Sequence, residues 1–306
     1  MSMPSIEICE VGPRDGLQSE TRLWSVAERV ELINRLTAAG IRRIETVSFV
    51  NPKRVPQMAD AEAVMAHVNR PPQVRFIGLA LNDRGVERAI ASGVHEIRYV
   101  VAASETFNQR NQGVATNETL AMLEPIAATV TGAGLTLSCV ISTSFGCPFE
   151  GTIPIGRVTT LARRLAQIGV SEIGLADTIG AAVPTQVTEL LSAVHAAVSD
   201  RVALGCHFHN TRNTGYANAA AALTQDISFF DSSIGGIGGC PFAPDATGNI
   251  ATEDLCFMLR NMGYDTGVDI ESLIDVAKWM EPFFESPLPG QVMKAGLFPE
   301  VTEKRS

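Results

Sequence analysis

The chain has 306 residues, 45% of them hydrophobic and 19% charged, with a net charge of −9. That is the composition of a globular protein with a large core, and its acidic balance argues against nucleic acid or an anionic membrane as main partner. No run of 18 apolar residues offers a membrane span, and the opening MSMPSIEICEVGPRDG carries no readable signal peptide. Six scattered cysteines, none in a C-x-x-C pair, read as reduced thiols in a cytoplasmic setting.

Short apolar, β-branched runs alternate eight times with longer amphipathic stretches. SIEICEV (5–11) runs into Arg14 and Asp15. After it, SVAERVELINRLTAAG sets Val26, Val30, Ile33 and Leu36 at helical spacing, with Gly40 as its C-cap. RIETVSF (43–49) carries Glu45 and Ser48, and VRFIGLAL (74–81) ends at Asn82. EIRYVVAAS (96–104) ends at Ser104, and LTLSCVIS (135–142) ends at Ser142 and Thr143. EIGLAD (172–177) closes on Asp177, ALGCHFH (203–209) on His207 and His209. FFDSSI (229–234) leads into GGIGGCPFAPDATGN. Gly93, Gly134 and Gly169 stand where further helices should end.

A βα unit that recurs about every thirty residues implies parallel strands with helical crossovers. Eight of them predict a (β/α)8 TIM barrel over about residues 5–262, with an open doubly wound sheet as the alternative. The tail, 268–306, contains the amphipathic IESLIDVAKWMEPFF and reads as added helices packed on the barrel or on a partner. With no interdomain linker in view, residues 1–306 are expected to form a single domain.

In a barrel the C-terminal strand ends share one mouth, so polar residues distant in sequence can meet there. Strand side chains alternate faces, so His207 and His209 share one face and Phe208 takes the other. Asp15 could add a carboxylate, because strands 1 and 7 lie close around a ring of eight. Two imidazoles and a carboxylate suit a divalent ion such as Mg2+ or Mn2+, whereas zinc more often takes three histidines or a cysteine.

The glycines of GGIGGCPFAPDATGN permit positive φ and close backbone approach. Gly235–Gly239 can be read as a phosphate cradle, but a mobile lid holding Cys240 fits better. Cys240 is then an acid/base candidate or a small packing residue. Asn249 is either a metal ligand or the N-cap of IATEDLCFML. Cys9, Cys139 and Cys206 read as core; His67, His95 and His195 as surface or packing residues; Arg163 and Arg164 as a solvated helix face.

EVGPRDGLQSE (10–20), IETVSFVNPKRVPQMAD (44–60), GLADTIG (174–180), HFHNTRNTGYANAAAAL (207–223) and GGIGGCPFAPDATGNIATEDLCFML (235–259) together resemble the 3-hydroxy-3-methylglutaryl-CoA lyase family of the DRE-TIM metallolyases. The resemblance runs from residue 5 to about 290. It implies a divalent-metal-dependent lyase that cleaves a 3-hydroxyacyl-CoA to acetyl-CoA and a keto acid by retro-Claisen chemistry. It assigns Asp15, His207, His209 and Asn249 to Mg2+ or Mn2+, and Arg14 to the enolate of the departing acetyl-CoA. Cys240 becomes the loop acid/base and Glu45 the support of the network, so the catalytic set is Arg14, Asp15, Cys240 and Glu45. Gln18, Ser48, Asn111, Ser142, Asp177 and Arg212 are candidate substrate contacts.

Three positions depart from the family pattern. Asn210-Thr211-Arg212-Asn213 replaces an aspartate-led motif after the second histidine, Thr21-Arg22 stands where a lysine is common, and Asp245 stands where glycine is common. The added arginine at 212 points to a different acyl carboxylate, as in citramalyl-CoA or a longer branched 3-hydroxyacyl-CoA. Alternatives on the same scaffold are a Claisen-type condensing enzyme, a 4-hydroxy-2-oxo acid aldolase, or a non-catalytic acyl-CoA-binding paralogue. The expected partners are an acyl-CoA and further copies of the chain, in a dimer or tetramer, with no nucleic acid and no membrane.

Overall fold

The computed structural model describes residues 3–198, 200–239 and 248–298. Eight strands form a closed parallel barrel in sequence order: β1 (Glu7–Glu10), β2 (Arg43–Ser48), β3 (Arg75–Leu79), β4 (Glu96–Ala102), β5 (Thr136–Ser142), β6 (Glu172–Asp177), β7 (Ala203–Phe208) and β8 (Phe229–Ser232). β8 pairs back onto β1, Glu7 opposite Phe229 and Cys9 opposite Asp231, which removes the open-sheet alternative. Several strands stop short of the expected bounds because their polar ends turn into loops or caps. Asn82 accepts from the Gly85 amide at 2.9 Å, and Ser104 from Phe107 at 3.1 Å, so both cap the next helix.

The crossovers are α1 (Val26–Ala38), α2 (Ala61–His67), α3 (Asp83–Ala91), the pair α4 (Glu105–Gln112) and α5 (Thr116–Gly132), α6 (Ile155–Ile168), α7 (Pro184–Ala197) and α8 (Gly215–Ala222). The helix after β8 is α9 (Thr252–Asn261). α1 shows how sequence sets such an element. Ser25 accepts from the Glu28 amide at 3.3 Å while Glu28 accepts from the Ser25 amide at 2.8 Å, a reciprocal capping box. Its Leu32, Ile33 and Leu36 are fully buried against the barrel. Gly40 ends the run at φ +96°, where a Cβ would lie 2.8 Å from the Gly267 carbonyl oxygen.

The tail packs on its own barrel. α10 (Ile270–Met280) lies against α1 and α9, and Trp24 meets Trp279 and Phe283 edge-on at 6.3 and 5.1 Å between ring centres. The short α11 (Val292–Ala295) is tethered where Asp254 of α9 accepts from the Gln291 and Val292 amides. Among the described residues, no helix is long and apolar enough to cross a membrane.

The apolar core fills the layer between strands and helices, but the barrel's own interior is largely charged. Arg43, Glu45, Glu96, Arg98 and Asp231 are each at most 2% exposed. At the N-terminal end Arg43 holds Glu96 at 2.6 Å and Glu7 at 3.1 Å, while Arg75 bridges Glu7 at 2.8 Å and Glu172 at 3.2 Å. The Arg43 guanidinium also lies 4.6 Å from the centre of the Phe229 ring. Gly205 leaves the space that ring occupies, since a Cβ there would fall 2.4 Å from Phe229 Cε2. Buried charges of this kind persist because each has a partner; removing one partner is costly.

Candidate active site

The first functional pair is delivered by a turn. Directly after β1, the amides of Arg14, Asp15 and Gly16 all converge on the Val11 carbonyl, at 3.2, 2.7 and 3.2 Å. This widened, π-type turn over Gly12–Gly16 is uncommon in helices and recurs at functional sites. Gly12 and Gly16 are required by crowding: a Cβ would meet Glu10 Oε1 at 2.6 Å in one case and Ile237 at 2.6 Å in the other. Arg14 and Asp15 are thereby projected over the barrel mouth.

Arg14 is clamped by Glu45 of β2, Nε donating to Oε1 at 2.7 Å and Nη2 to Oε2 at 2.9 Å, and its Nη1 donates to Asp15 at 2.9 Å. A guanidinium has five N–H groups, so two remain for a ligand. Burial disfavours its charge, but the carboxylates of Glu45 and Asp15 outweigh that and hold its pKa above the ordinary value. Asp15 moves the other way: burial raises its pKa, but Arg14 and the two histidines win and keep it ionised below the usual range.

β7 brings up the histidines, and period-2 alternation holds. Phe208 points outward to Phe145 and Phe230, while His207 and His209 turn inward with their Nε2 atoms 3.2 Å apart. The nearest Asp15 oxygen lies 4.0 Å from His207 Nε2. One ligand atom from each of Asp15, His207 and His209 falls within 4.8 Å of the others, so a single ion can reach all three. Burial and the neighbouring His207 push the His209 pKa down to about 3, leaving it neutral as a metal ligand must be. For His207, burial opposes the charge, but the hydrogen bond to Asp231 and the charge of Asp15 prevail and raise the pKa.

Asn249 completes the group, and the N-cap alternative fails because Ala251 occupies that position with no side-chain cap. The Asn249 side chain instead donates to Asp15 Oδ2 at 2.9 Å and to the Ile237 carbonyl at 3.1 Å. Its Oδ1 is buried without a hydrogen-bond partner, as is His209 Nδ1. A carboxylate and two imidazoles on one spot, with an orphaned amide oxygen on the side chain bonded to that carboxylate, are a donor set that fits a divalent cation.

Two residues not singled out from the sequence belong to this constellation. Asp231 of β8 sits opposite His207 in register, and its Oδ2 lies 3.3 Å from His207 Nδ1. Arg98 of β4 donates through Nη1 to that same oxygen at 3.0 Å and to Glu45 Oε2 at 3.3 Å. The signal for Arg98 in the sequence is charge at i, i+2 inside apolar strands, Glu96 with Arg98 and Arg43 with Glu45; Asp231 is a lone charge inside FFDSSI.

The remaining candidates are dispersed. Ser48 is fully buried with its hydroxyl unpartnered, and the Ser142 hydroxyl reaches the Val101 carbonyl only at 3.5 Å. Asp177 spends both oxygens on loop amides, Ala181 and Ala182 at 2.9 Å each; burial, against those two bonds, raises its pKa. Arg212 is exposed and donates to the carbonyls of Ile179 and Gly180 at 2.9 and 3.0 Å, tying the β7 loop to the β6 loop. It also lines a side cavity of about 330 Å³ with Asn210, Tyr216, Asn249 and Gln291. Gln18 is half-buried just beyond the π-type turn, and Asn111 is exposed on α4.

Cys240 and Asp245 lie outside the described residues. The chain on either side is anchored at the mouth: the Gly239 amide donates to Ser19 Oγ at 3.1 Å, and the Gly248 carbonyl accepts from Asn210 at 3.1 Å. The phosphate-cradle reading of Gly235–Gly239 finds three of its five amides engaged: Gly235 by the buried Glu253 carboxylate at 3.0 Å, Gly236 by the Ser233 carbonyl at 2.8 Å and Gly239 by Ser19. Cys9, Cys139 and Cys206 are buried as expected, and Arg163 and Arg164 are exposed.

The HMGL-like family model matches residues 5–280. The (R)-citramalyl-CoA lyase of Chloroflexus aurantiacus is 44% identical over 98% of this chain and 98% of its own length. The hydroxymethylglutaryl-CoA lyase YngG of Bacillus subtilis is 42% identical over 94% of this chain and 95% of its own. A solved HMG-CoA lyase of Acinetobacter baumannii, in complex with coenzyme A and 3-methylmalate, superposes with a TM-score of 0.92 at 36% identity and 97% coverage of both chains.

Proposed function

The chain belongs to the HMGL-like family, and from that premise we propose that it is a divalent-metal-dependent carbon–carbon lyase. Its substrate is a 3-hydroxyacyl-CoA, 3-hydroxy-3-methylglutaryl-CoA or a close analogue, and its products are acetyl-CoA and a keto acid. One observation carries the reading: a carboxylate and two imidazoles converge on one point beside a clamped arginine.

Retro-Claisen cleavage has three needs. A base must take the tertiary hydroxyl proton as the C–O bond becomes a carbonyl. The breaking C–C bond then delivers its electron pair to the thioester, whose enolate oxygen needs a fixed cation. Finally the enolate carbon must be protonated to give acetyl-CoA. Asp15, His207, His209 and Asn249 would hold Mg2+ or Mn2+, which when bound supplies Lewis-acid polarisation of the substrate's oxygens. Asp15 is also the proposed base for the hydroxyl proton, since both nitrogens of His207 are committed, Nε2 to the ligand cluster and Nδ1 to Asp231. Arg14, with two N–H groups uncommitted and its plane fixed by Glu45, offers the preorganised cation for the enolate. Cys240 is the proposed proton donor, carried on the segment between Gly239 and Gly248.

Gln18, Ser48, Asn111, Ser142, Asp177 and Arg212 remain proposed substrate contacts. A citramalyl-CoA substrate is favoured by the 44% identical relative, and Arg212 is the residue proposed to meet its acyl carboxylate. We further infer a cytoplasmic homo-oligomer, dimer or tetramer; the five described cysteines are free thiols, which supports the compartment.

Incubation of the purified protein and Mn2+ with a panel of 3-hydroxyacyl-CoA thioesters tests the proposal. Release of acetyl-CoA with the matching keto acid, acetoacetate from the methylglutaryl thioester or pyruvate from the citramalyl one, is expected. Pyruvate release from a hydroxy-oxo acid with no CoA requirement would sink it and favour the aldolase.

A further inference from the structure

We propose that Asp231 and Arg98, neither of which can touch the substrate from inside the barrel, are positioning residues that set the two halves of the site relative to one another. The inference rests on the metal-site reading above. His207 and His209 face each other through Nε2, so an ion placed between them and Asp15 leaves His207 Nδ1 pointing down the barrel. There it meets Asp231 Oδ2 at 3.3 Å, in the cross-strand pair of β7 with β8. A carboxylate on the far nitrogen fixes the tautomer and ring plane of a ligating histidine and raises its basicity.

Asp231 cannot do this alone, because its own orientation must be held. Arg98 holds it at 3.0 Å, and the same Nη1 reaches Glu45 Oε2 at 3.3 Å. Glu45 is the carboxylate that clamps Arg14. One guanidinium on β4, a strand that contributes no proposed ligand, therefore stands between two carboxylates that orient opposite sides of the site: Arg98–Asp231–His207 toward the metal, and Arg98–Glu45–Arg14 toward the enolate. The three groups beneath His207 and Arg14, namely Asp231, Arg98 and Glu45, are each at most 2% exposed, so bulk water does not reach them to replace a lost partner. Lysine at 98 would keep a charge but lose the rigid guanidinium plane, whose Nη2 lies 4.0 Å from Glu96 while Nη1 is held between both carboxylates.

The test reads Mn2+ affinity of metal-stripped protein without substrate, by the electron paramagnetic resonance signal of free Mn2+. Far-UV circular dichroism and melting are followed in parallel. Asp231→Ala is expected to weaken Mn2+ binding about 10- to 100-fold, with Asp231→Asn weakened less because its amide oxygen can still accept. Arg98→Lys should weaken binding several-fold and, at saturating Mn2+, lower kcat for acetyl-CoA release while leaving KM for the thioester within about twofold. Glu172→Gln, a carboxylate on the barrel floor away from His207, is the control and should bind Mn2+ as the wild type does. If Asp231→Ala does not fold, Asp231→Asn and Arg98→Lys carry the test. Wild-type affinity in the folded variants overturns the proposal while leaving the metal site standing. An equal loss in Glu172→Gln also overturns it, since the effect would then be general destabilisation. A wild-type protein that binds no Mn2+ removes the site reading itself, and this inference with it.

Discussion

Arg14→Lys is the substitution whose consequences the structure specifies most fully. The change preserves charge and removes geometry. Arg14 makes two parallel hydrogen bonds to Glu45, at 2.7 and 2.9 Å, and a third to Asp15 at 2.9 Å. A lysine ammonium cannot form the parallel pair, and if it pairs with Glu45 it withdraws from the mouth. The uncommitted N–H groups aimed at the enolate are then lost. Removing one preorganised oxyanion donor costs about 3 to 4 kcal/mol at the transition state, a fall of about 10²- to 10³-fold in kcat. Acetyl-CoA release at saturating Mn2+ measures this, with Mn2+ affinity and melting temperature determined on the same preparation. The expected pattern is a kcat loss of that size, with Mn2+ affinity within about fivefold and Tm lower by a few degrees. A kcat within threefold of wild type would refute the enolate role. So would a collapse of Mn2+ affinity that accounts for the whole loss, because Arg14 would then act only through Asp15.

Other consequences can be checked independently. Asp15→Ala should abolish high-affinity Mn2+ binding and reduce turnover by orders of magnitude; an unchanged Mn2+ titration would remove it from the ligand set. Cys240→Ser should cut turnover at least about 100-fold, consistent with the loss of a positioned acid/base, while thioester binding measured by calorimetry persists; near-normal rates would end the acid/base assignment. Gly205→Ala drives a methyl to within 2.5 Å of three atoms of the Phe229 ring, whose centre lies 4.6 Å from the Arg43 guanidinium. That overpacking should cost about 1 to 3 kcal/mol in chemical denaturation, recovered in part by adding Phe229→Leu. Glu150 supplies a pH test. Burial opposes its charge, but the Thr106 amide, Arg157 and Ser104 hold the carboxyl down at about 2, against an ordinary 4.5. A folded-state pKa below the unfolded one stabilises above the unfolded value and fades as pH falls through the folded one. The Tm gap between wild type and Glu150→Gln should therefore be full above about pH 5 and close toward pH 2; a gap independent of pH would contradict the ion pairing.

The barrel was legible because eight β-branched runs recur about every thirty residues, four of them introduced by a helix-ending glycine (Gly40, Gly93, Gly134 and Gly169), and allow few other closures. The histidine pair was legible for a related reason: strand alternation forces His207 and His209 to one side whatever the fold around them. Asp15 was harder, since its place depends on three amides sharing the Val11 carbonyl, and nothing in GPRDG encodes that widened turn by pattern alone. Polar strand ends misled at Asn82 and Ser104, which cap the following helices. Arg98 and Asp231 were passed over because a charged residue in an apolar strand ordinarily faces water. Inside a barrel that parity points to the axis, where Glu96, Glu45 and His207 supply the partners. Pairing distances across four strands decide such a network, and they are not visible in one-dimensional periodicity.

The central claim is carbon–carbon cleavage of an acyl-CoA thioester, and the most direct measurement is a single turnover with Mn2+ in D2O, analysed by mass spectrometry. With 3-hydroxy-3-methylglutaryl-CoA or citramalyl-CoA, the account predicts acetyl-CoA carrying one solvent deuteron on its methyl carbon, formed in equal amount with the keto acid. Free CoA together with an intact 3-hydroxy acid, or a thioester left whole by the Mn2+-loaded protein, would contradict it.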